Sequence, residues 1–382
     1  MDRIYLDYAA TTPLDPIVLQ KMTPYFSEEF GNSSSIHTWG QKAEYALEDA
    51  RESVAASLCC DPDEIIFTSG GSESDNLAIR GVAFMRRKMT GANRILISPV
   101  EHPAVQETTR QLRDDFGFSV EYIPVDEFGR VIPGELKRLL NKSTAVVSII
   151  YANNEIGTIN PVMEISEICR EVEVPFHTDA VQAAAHMPLN INRSAIDLLS
   201  IGAHKFYGPK GAGALFIREG LALLPLQTGG KQEKGLRAGT HNIAYIVGLA
   251  EALRQTNENL VENTKKVTTL RDLLIEGVIN TIPDSKLTGH PKDRLPNHAS
   301  FVFKNIDGNA LLMVLDQHGF ACSSGSACKV GDPKPSEVLI NLGLTPDWAS
   351  GSLRVTLGRK TTLEEIQKLL NILPGLIQSL RQ

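Results

Sequence analysis

One stretch of the sequence has the composition of an anion-binding turn. An apolar run, residues 65–68, leads through Gly71 and Ser72 into residues 77–88, which have helical spacing. Ser72 and Asp75 are spaced like a capping box, and the free N–H groups at the start of a helix bind phosphate and other anions. A glycine turn with an ordinary helix cap explains the same residues, so the stretch alone indicates phosphate binding only weakly.

A carboxylate and a lysine follow two further apolar runs. Asp179 ends the run 176–179, and Lys205 comes shortly after the run 198–201. A lysine that can form a Schiff base, a carboxylate that keeps a pyridine nitrogen protonated and an anion-binding turn are together what a pyridoxal phosphate (PLP) site requires. Taken alone, Asp179 is explained equally well as a helix cap, and Lys205 as a solvated charge.

The cysteines differ in their surroundings. Cys328 lies in a polar stretch with Gly and Pro, next to Lys329, and a neighbouring cation favours the thiolate, which is the nucleophilic form of the side chain. Cys322 follows Phe and Ala, which favours a buried structural role. The spacing of these two cysteines does not fit a metal site, so we predict no bound metal. The remaining cysteines, to which we assign no role, are Cys59, Cys60 and Cys169.

Length and composition exclude several classes of protein. The 382 residues, 42% hydrophobic and 22% charged, predict a globular protein with a large and a smaller domain. The net charge of −7 argues against binding nucleic acid, no apolar run reaches the roughly 20 residues of a membrane span, and no standard nucleotide-binding fingerprint occurs. Because there is no signal-peptide pattern and the five cysteines form no disulfide framework, we expect a cytoplasmic protein.

Strands and helices alternate in the sequence pattern up to about residue 218. The predicted strands are 65–68, 94–98, 145–151, 176–179, 198–201 and 214–218, and the predicted helices are 39–58, 77–88, 104–116 and 162–172. This α/β alternation predicts a largely parallel sheet covered on both faces, with ligands bound beyond the carboxyl ends of its strands.

After about residue 260 the pattern becomes that of a smaller α+β domain. It has a long helix, strands at 300–303 and 353–357, and helices near 309–317, 336–342 and from 362. We expect a large domain of residues 15–260 and a small domain of residues 1–14 and 261–382 that carries Cys328.

Ten segments spread along the chain carry a resemblance to a known family. They are YLDYAATT (5–12), GNSSS (31–35), TSGGSESDN (68–76), EH (101–102), NNEIG (153–157), HTDAVQ (177–182), AHKFYGPKG (203–211), RAGT (237–240), SSGSAC (323–328) and LRVTLGR (353–359). In order along nearly the whole chain, they resemble the NifS/IscS-type cysteine desulfurases, a branch of the class-V aminotransferase group of PLP enzymes. The resemblance implies PLP fold type I, with a mostly parallel seven-stranded sheet in the large domain.

The resemblance also implies three catalytic residues. Lys205 would bind the cofactor covalently and then act as a base, and His102 would stack on the cofactor ring and move protons. Cys328 would take sulfur from L-cysteine, releasing L-alanine and leaving a persulfide. The persulfide would be delivered to an iron–sulfur scaffold or another acceptor protein.

The remaining matching residues would hold the cofactor and the substrate. Asp179 would pair with the pyridine nitrogen, Gln182 would bind the ring hydroxyl, and Asn154 would contact cofactor or substrate. Arg354 would bind the substrate carboxylate, for which its forked guanidinium is suited. The phosphate contacts map to Gly71, Ser72 and His204, and to Thr240 reaching across from the second subunit of a homodimer. Ser200 is a further candidate for binding the cofactor.

The sequence departs from the family pattern at three places. Ser72 replaces a threonine and keeps the hydroxyl, whereas Gly202 replaces a serine and removes a phosphate donor unless Ser200 or the backbone substitutes. Residues 329–334 replace a Ser/Thr-rich loop. The alternatives left open are a class-V aminotransferase or a selenocysteine lyase, which would share Lys205 and Asp179, and a PLP-free scaffold that docks sulfur-transfer partners.

Overall fold

A computed structural model describes residues 3–325 and 335–381. In chain order its strands are β1 (Ile4–Tyr5), β2 (Ile65–Thr68), β3 (Arg94–Ile97), β4 (Ser119–Tyr122), β5 (Thr144–Ser148), β6 (Phe176–Asp179), β7 (Leu198–Gly202), β8 (Gly213–Ile217), β9 (Ser285–Leu287), β10 (His298–Phe303), β11 (Phe320–Ala321) and β12 (Ser352–Thr356).

Helices separate most of these strands. They are α1 (Pro16–Met22), α2 (Pro24–Ser27), α3 (Thr38–Leu58), α4 (Gly71–Thr90), α5 (Pro103–Phe116), α6 (Pro133–Leu139), α7 (Val162–Glu171), α8 (Ile243–Glu258), α9 (Leu260–Thr281), α10 (Gly308–Gln317), α11 (Glu337–Asn341), α12 (Pro346–Ala349) and α13 (Leu363–Leu380). No helix in the described part of the chain is long and apolar enough to cross a membrane.

The central sheet has seven strands in the order β2-β8-β7-β6-β5-β3-β4. The neighbouring pairs from β7 to β4 are parallel, and only β8 runs antiparallel to its two neighbours, β2 and β7. The mostly parallel sheet predicted from the sequence is therefore confirmed. All six predicted strands between residues 65 and 218 are present, whereas the edge strand β4 is an addition that the sequence pattern did not indicate.

Apart from the edge strand β4, the strands of this sheet are buried on both faces because their apolar residues alternate between two clusters. Ile66 and Ile95 pack on one face with residues of α4 and α5. Phe67 and Leu96 pack on the other with residues of α3, α7 and α8. Continuous apolar strands are the form expected of a sheet covered on both sides. This arrangement leaves the carboxyl ends of the strands as the open edge.

A separate, third hydrophobic cluster forms around a three-stranded antiparallel sheet of order β12-β10-β9. It combines residues of α9, β10, β12 and α13 with Ile4 and Leu6 from the beginning of the chain. The N-terminal residues join it because β1 pairs in parallel with β11. The division into a large domain of residues 15–260 and a small domain of residues 1–14 and 261–382 stays a prediction.

Candidate active site

A cavity of about 270 Å³ opens at the carboxyl ends of the parallel strands. Each of its walls follows a different strand: Gly71 comes after β2, His102 after β3, Asn154 after β5, Asp179 at the end of β6 and Lys205 after β7. This is the position where open α/β sheets bind ligands. The full lining is Gly71, Ser72, Asp75, His102, Ile150, Asn154, Asp179, Val181, Gln182, His204 and Lys205.

Eight residues predicted from the sequence therefore meet in one place. They are Gly71, Ser72, His102, Asn154, Asp179, Gln182, His204 and Lys205. Arg354 lines a neighbouring cavity of about 350 Å³, which shares Asn154 with the first. Cys328 lies outside the described residues.

Two predicted phosphate contacts lie elsewhere. Ser200 is fully buried inside β7, and its hydroxyl is 3.0 Å from Nε2 of His177. Thr240 is exposed and lines neither cavity. The position of Ser200 does not favour its predicted contact with phosphate, and the contact predicted for Thr240 is one made in a second subunit.

The turn that carries Lys205 is held by the N-terminal segment of the chain. The Lys205 ammonium donates to the carbonyls of Ala9 and Ala10, with Nζ–O distances of 2.6 and 2.8 Å. The backbone N–H and the hydroxyl of Thr12 both donate to the carbonyl of His204. The segment containing residues 5–12 thus belongs to the site although it does not line the cavity.

His204 stands beside Lys205 and is electrically neutral. Burial, reinforced by the charge of Lys205, lowers the pKa of the imidazole to about 4. Nδ1 of His204 lies 3.2 Å from the Thr11 hydroxyl. A neutral imidazole beside the start of α4 can still donate an N–H hydrogen bond to an anion.

Asp179 is a buried carboxylate, 4% exposed, that faces the cavity. Burial raises its pKa, while His102, the Val181 N–H at 2.9 Å and Lys205 act to lower it. Gln182, also on this wall, donates from Nε2 to the carbonyl of Ala9 at 2.9 Å. A carboxylate in this position can pair with a protonated ring nitrogen.

His102 both caps a helix and faces the cavity. Its Nδ1 accepts the backbone N–H of Ala104 at 3.1 Å and so caps α5, while the ring faces the cavity. Burial is the main cause that lowers its pKa. Because Nδ1 acts as an acceptor, the neutral ring carries its proton on Nε2.

The capping box expected from Ser72 and Asp75 does not form. The N-cap of α4 is Gly70, two residues before Ser72, and it makes no side-chain capping bond. Instead, the Glu73 carboxylate accepts the N–H of Ser69 at 2.7 Å. Asp75 is consequently placed on the inner face of the helix, where it is 1% exposed and lines the cavity.

The start of α4 nevertheless has the geometry of an anion cradle. Gly71 and Ser72 are the first residues of a 20-residue helix, and both line the cavity. A Cβ at Gly71 would lie 2.5 Å from Cγ2 of Val181, so any larger residue there would force Val181 to move. The site combines an anion-binding helix terminus, a lysine and a buried carboxylate, and this set of groups fits PLP.

Arg354 is oriented by two groups that the sequence did not connect with it. Its Nη2 donates to Asp7 Oδ1 at 2.8 Å, and its Nη1 donates to the carbonyl of Asn154 at 3.0 Å. Asp7 belongs to the first motif of the resemblance, which was the available signal. Glu155, in the same cavity as Arg354, is a further buried group that sequence reasoning missed.

Comparison with known proteins gives consistent matches over the whole chain. The family model described as aminotransferase class-V matches residues 4–369. A cysteine desulfurase IscS of Clostridium botulinum is 46% identical over 383 residues, covering 100% of this chain and 96% of that protein. A cysteine desulfurase IscS of Methanosarcina thermophila is 44% identical over 378 residues, covering 99% of this chain and 93% of that protein.

Solved structures agree with these relatives. A structure titled as a NifS-like protein superposes with a TM-score of 0.92 at 37% identity, covering 99% of this chain and 100% of the other. A structure described as SspA in complex with cysteine superposes with a TM-score of 0.81 at 33% identity, covering 94% and 99% of the two chains.

Proposed function

The chain belongs to the class-V aminotransferase family and is a cysteine desulfurase, and we propose that it moves sulfur from L-cysteine to Cys328 with Lys205 holding PLP. The observation that supports this assignment of residues is the meeting of Gly71, His102, Asp179 and Lys205 around one cavity beside Arg354. When bound, PLP supplies an electron sink that weakens the bonds at the Cα atom of the substrate.

The cavity residues divide the task of holding PLP. Lys205 would attach its aldehyde, and Asp179 would keep its ring nitrogen protonated. The phosphate would lie at the start of α4, against Gly71, Ser72 and His204. Gln182 would bind the ring hydroxyl, with His102 against the ring face.

Arg354 would hold the substrate by its carboxylate. The bonds to Asp7 and to the carbonyl of Asn154 keep the guanidinium in place, so little side-chain entropy remains to be lost when a carboxylate binds. Because Asn154 lines both cavities, a substrate bound by Arg354 lies next to the proposed position of PLP.

Lys205 is the base that we propose for the Cα proton of the substrate. The carbonyls of Ala9 and Ala10 stabilise its ammonium form, which is the form that exists after it has taken a proton. His102, neutral and with its proton on Nε2, can donate that proton within the cavity and recover it.

The Cys328 thiolate would attack the sulfur of the substrate. The S–Cβ bond of cysteine breaks, a sulfur–sulfur bond forms at Cys328, and proton uptake at carbon completes L-alanine. The net change is cysteine plus thiol to alanine plus persulfide, so no external oxidant is needed. We further propose a cytoplasmic homodimer in which Thr240 reaches the partner's phosphate site and an iron–sulfur scaffold or another acceptor protein takes the sulfur.

The test measures alanine and sulfide from L-cysteine in the presence of a thiol reductant, for the wild type and for Cys328→Ala. Cys322→Ala is the matched control, since Cys322 is half-buried beside β11 and has no proposed role. We expect Cys328→Ala to keep the visible absorbance of bound PLP and to lose activity at least 100-fold, while the control keeps both. Full activity in Cys328→Ala would refute the persulfide step, and failure of borohydride to fix PLP on Lys205 would refute the cofactor assignment.

A further inference from the structure

Asp75 is a buried acid on the cavity wall to which the proposed function gives no task. It lies in the second turn of α4 and is 1% exposed. A carboxylate oxygen of Asp75, one of Asp179 and a ring nitrogen of His102 all lie within 4.8 Å of one another. Oδ1 of Asp75 has no hydrogen-bond partner among the described residues.

The groups behind Asp75 do not supply a positive charge. Nε2 of His177 is 3.5 Å from Asp75 Oδ1, but burial lowers the pKa of this imidazole to about 3, so it is neutral. Both ring nitrogens of His177 are within hydrogen-bond distance of serine hydroxyls. Nε2 lies 3.0 Å from the hydroxyl of Ser200, and Nδ1 lies 2.8 Å from the hydroxyl of Ser148.

The other ionisable groups nearby have different effects on the pKa values of Asp75 and Asp179. Lys205 and His102 favour the charge of Asp179 and lower its pKa against the effect of burial. No neighbouring positive charge among the described residues lowers the pKa of Asp75. Burial and then the charge of Asp179 raise this pKa, and a hydrogen bond from the Ser200 hydroxyl offsets only part of the increase. Glu101 is a third buried acid nearby, and burial raises its own pKa to about 8.

Two carboxylates this close and this deeply buried resist ionising together, because burial limits the solvation of each and each repels the charge of the other. We propose that the pair carries one proton and one negative charge, with the proton on Asp75 and the charge on Asp179. Asp75 is then a positioning residue, which keeps Asp179 ionised where the cofactor nitrogen would bind. This inference rests on the proposed function and extends it to a residue that does not itself pair with the cofactor.

The proton assignment can be tested without the cofactor. Infrared difference spectra of the apoprotein would be recorded for the wild type against Asp75→Asn and against Asp179→Asn, near neutral pH. We expect the Asp75→Asn difference spectrum to show the loss of a protonated carboxyl band, and the Asp179→Asn spectrum to show the loss of a carboxylate band. The reverse pattern, or loss of a carboxylate band in both, would overturn the proposal.

Cofactor binding supplies the second measurement. Asn mimics a neutral acid in shape and hydrogen bonding, so we expect Asp75→Asn to weaken PLP binding at most threefold and Asp179→Asn to weaken it at least 30-fold. Equal losses in the two variants would overturn the proposal. If the wild type itself failed to bind PLP, the proposed function would fall, and the infrared result would still decide where the proton lies.

Discussion

The Ser336 hydroxyl donates a hydrogen bond to the Glu155 carboxyl group, although 181 positions separate the two residues in the chain. Gly325 approaches the same group so closely that a Cβ there would overlap Glu155 Oε1. Gly325 and Ser336 are described residues on either side of the segment 326–334, which contains Cys328. Glu155 therefore contacts the chain both before and after the proposed nucleophile.

Glu155 should make the stability of the protein depend on pH. Burial raises its pKa to about 7, against the opposing effects of Ser336 and Arg354. The folded state thus binds a proton more tightly than the unfolded state, so this contribution to stability is present at low pH and is lost as pH rises from about 4.5 to about 7. We expect Glu155→Gln to remove this loss, which is at most about 3 kcal/mol for a shift of this size.

The measurement is urea unfolding at about pH 4 and about pH 8, which lie below and above the range in which Glu155 titrates. The exposed Glu52 provides the control, because Glu52→Gln removes the same charge without changing a buried group. A pH dependence in Glu155→Gln equal to that of the wild type would contradict the prediction.

Glu233 should be a major contributor to folding stability. It is 6% exposed, and its carboxylate accepts two hydrogen bonds from Arg51, one from the N–H of Phe67 and one from His241. Burial alone would raise the pKa of Glu233, but the bonds from His241 and Arg51 outweigh it and lower the pKa to about 2. Glu233→Gln leaves the buried Arg51 with only the exposed Glu48, 3.4 Å from its Nε, as an ionic partner, and we expect a loss of about 3 kcal/mol.

Denaturant unfolding of Glu233→Gln beside Glu258→Gln measures this contribution. Glu258 pairs with Arg254 on the surface, so the same substitution there should change the free energy of unfolding by less than about 1 kcal/mol. Because the folded pKa of Glu233 is lowered, its contribution should hold above about pH 4.5 and disappear as pH falls toward 2. If both variants lowered the free energy of unfolding by similar amounts, the prediction that the buried Glu233 contributes more to stability than the surface Glu258 would be wrong.

Gly202→Ser should tighten PLP binding. Gly202 has a φ of −139°, which any residue adopts, and a Cβ there would lie 3.4 Å from the N atom of Gly71 and 3.6 Å from Cγ1 of Val181. A hydroxyl at this position would restore the phosphate donor that the family pattern has. One hydrogen bond to a charged group contributes about 1.5–3 kcal/mol, so we expect roughly a tenfold lower Kd.

Titration of the apoprotein with PLP, followed by absorbance, measures that Kd. Gly202→Ala adds the Cβ without the hydroxyl and is the matched control. If both variants bound PLP equally well, the hydroxyl would not reach the phosphate.

The cysteines should differ in their rates of alkylation. Burial raises the pKa of Cys60 to about 12 and raises the pKa of Cys169 and of Cys322 as well. These thiols are protonated near neutral pH, and the thiolate is the reactive form. We expect brief treatment of the native protein with iodoacetamide to modify Cys328 at least tenfold faster than any of the three, as measured by peptide mass spectrometry. Rapid modification of Cys322 would contradict its assignment as a structural residue.

Most strands of the central sheet could be predicted from the sequence, but the edge strand β4 could not. The sequence predicts Ile65–Thr68 and Phe176–Asp179 with the bounds that the structure has, since strands buried on both faces are continuous apolar runs. Ser119–Tyr122 alternates polar and apolar residues and is only partly buried. It is a strand because it pairs with Arg94–Ile97, a contact that no local pattern reveals.

The sequence by itself determined which residues meet at the cavity. Gly71, His102, Asp179 and Lys205 each follow an apolar run, and the carboxyl ends of parallel strands lie along one edge of a sheet. The resemblance to a family then distinguished these residues from ordinary caps and surface charges.

Only the tertiary structure decided the surroundings of Asp75 and Glu155. Each residue turns a helix by about 100°, so placing the N-cap at Gly70 rather than at Ser72 changes Asp75 from a capping residue into a buried acid. The contact between Glu155 and Ser336 joins distant parts of the chain. Local patterns specify which elements form, whereas burial and the pairing of charges depend on how those elements pack together.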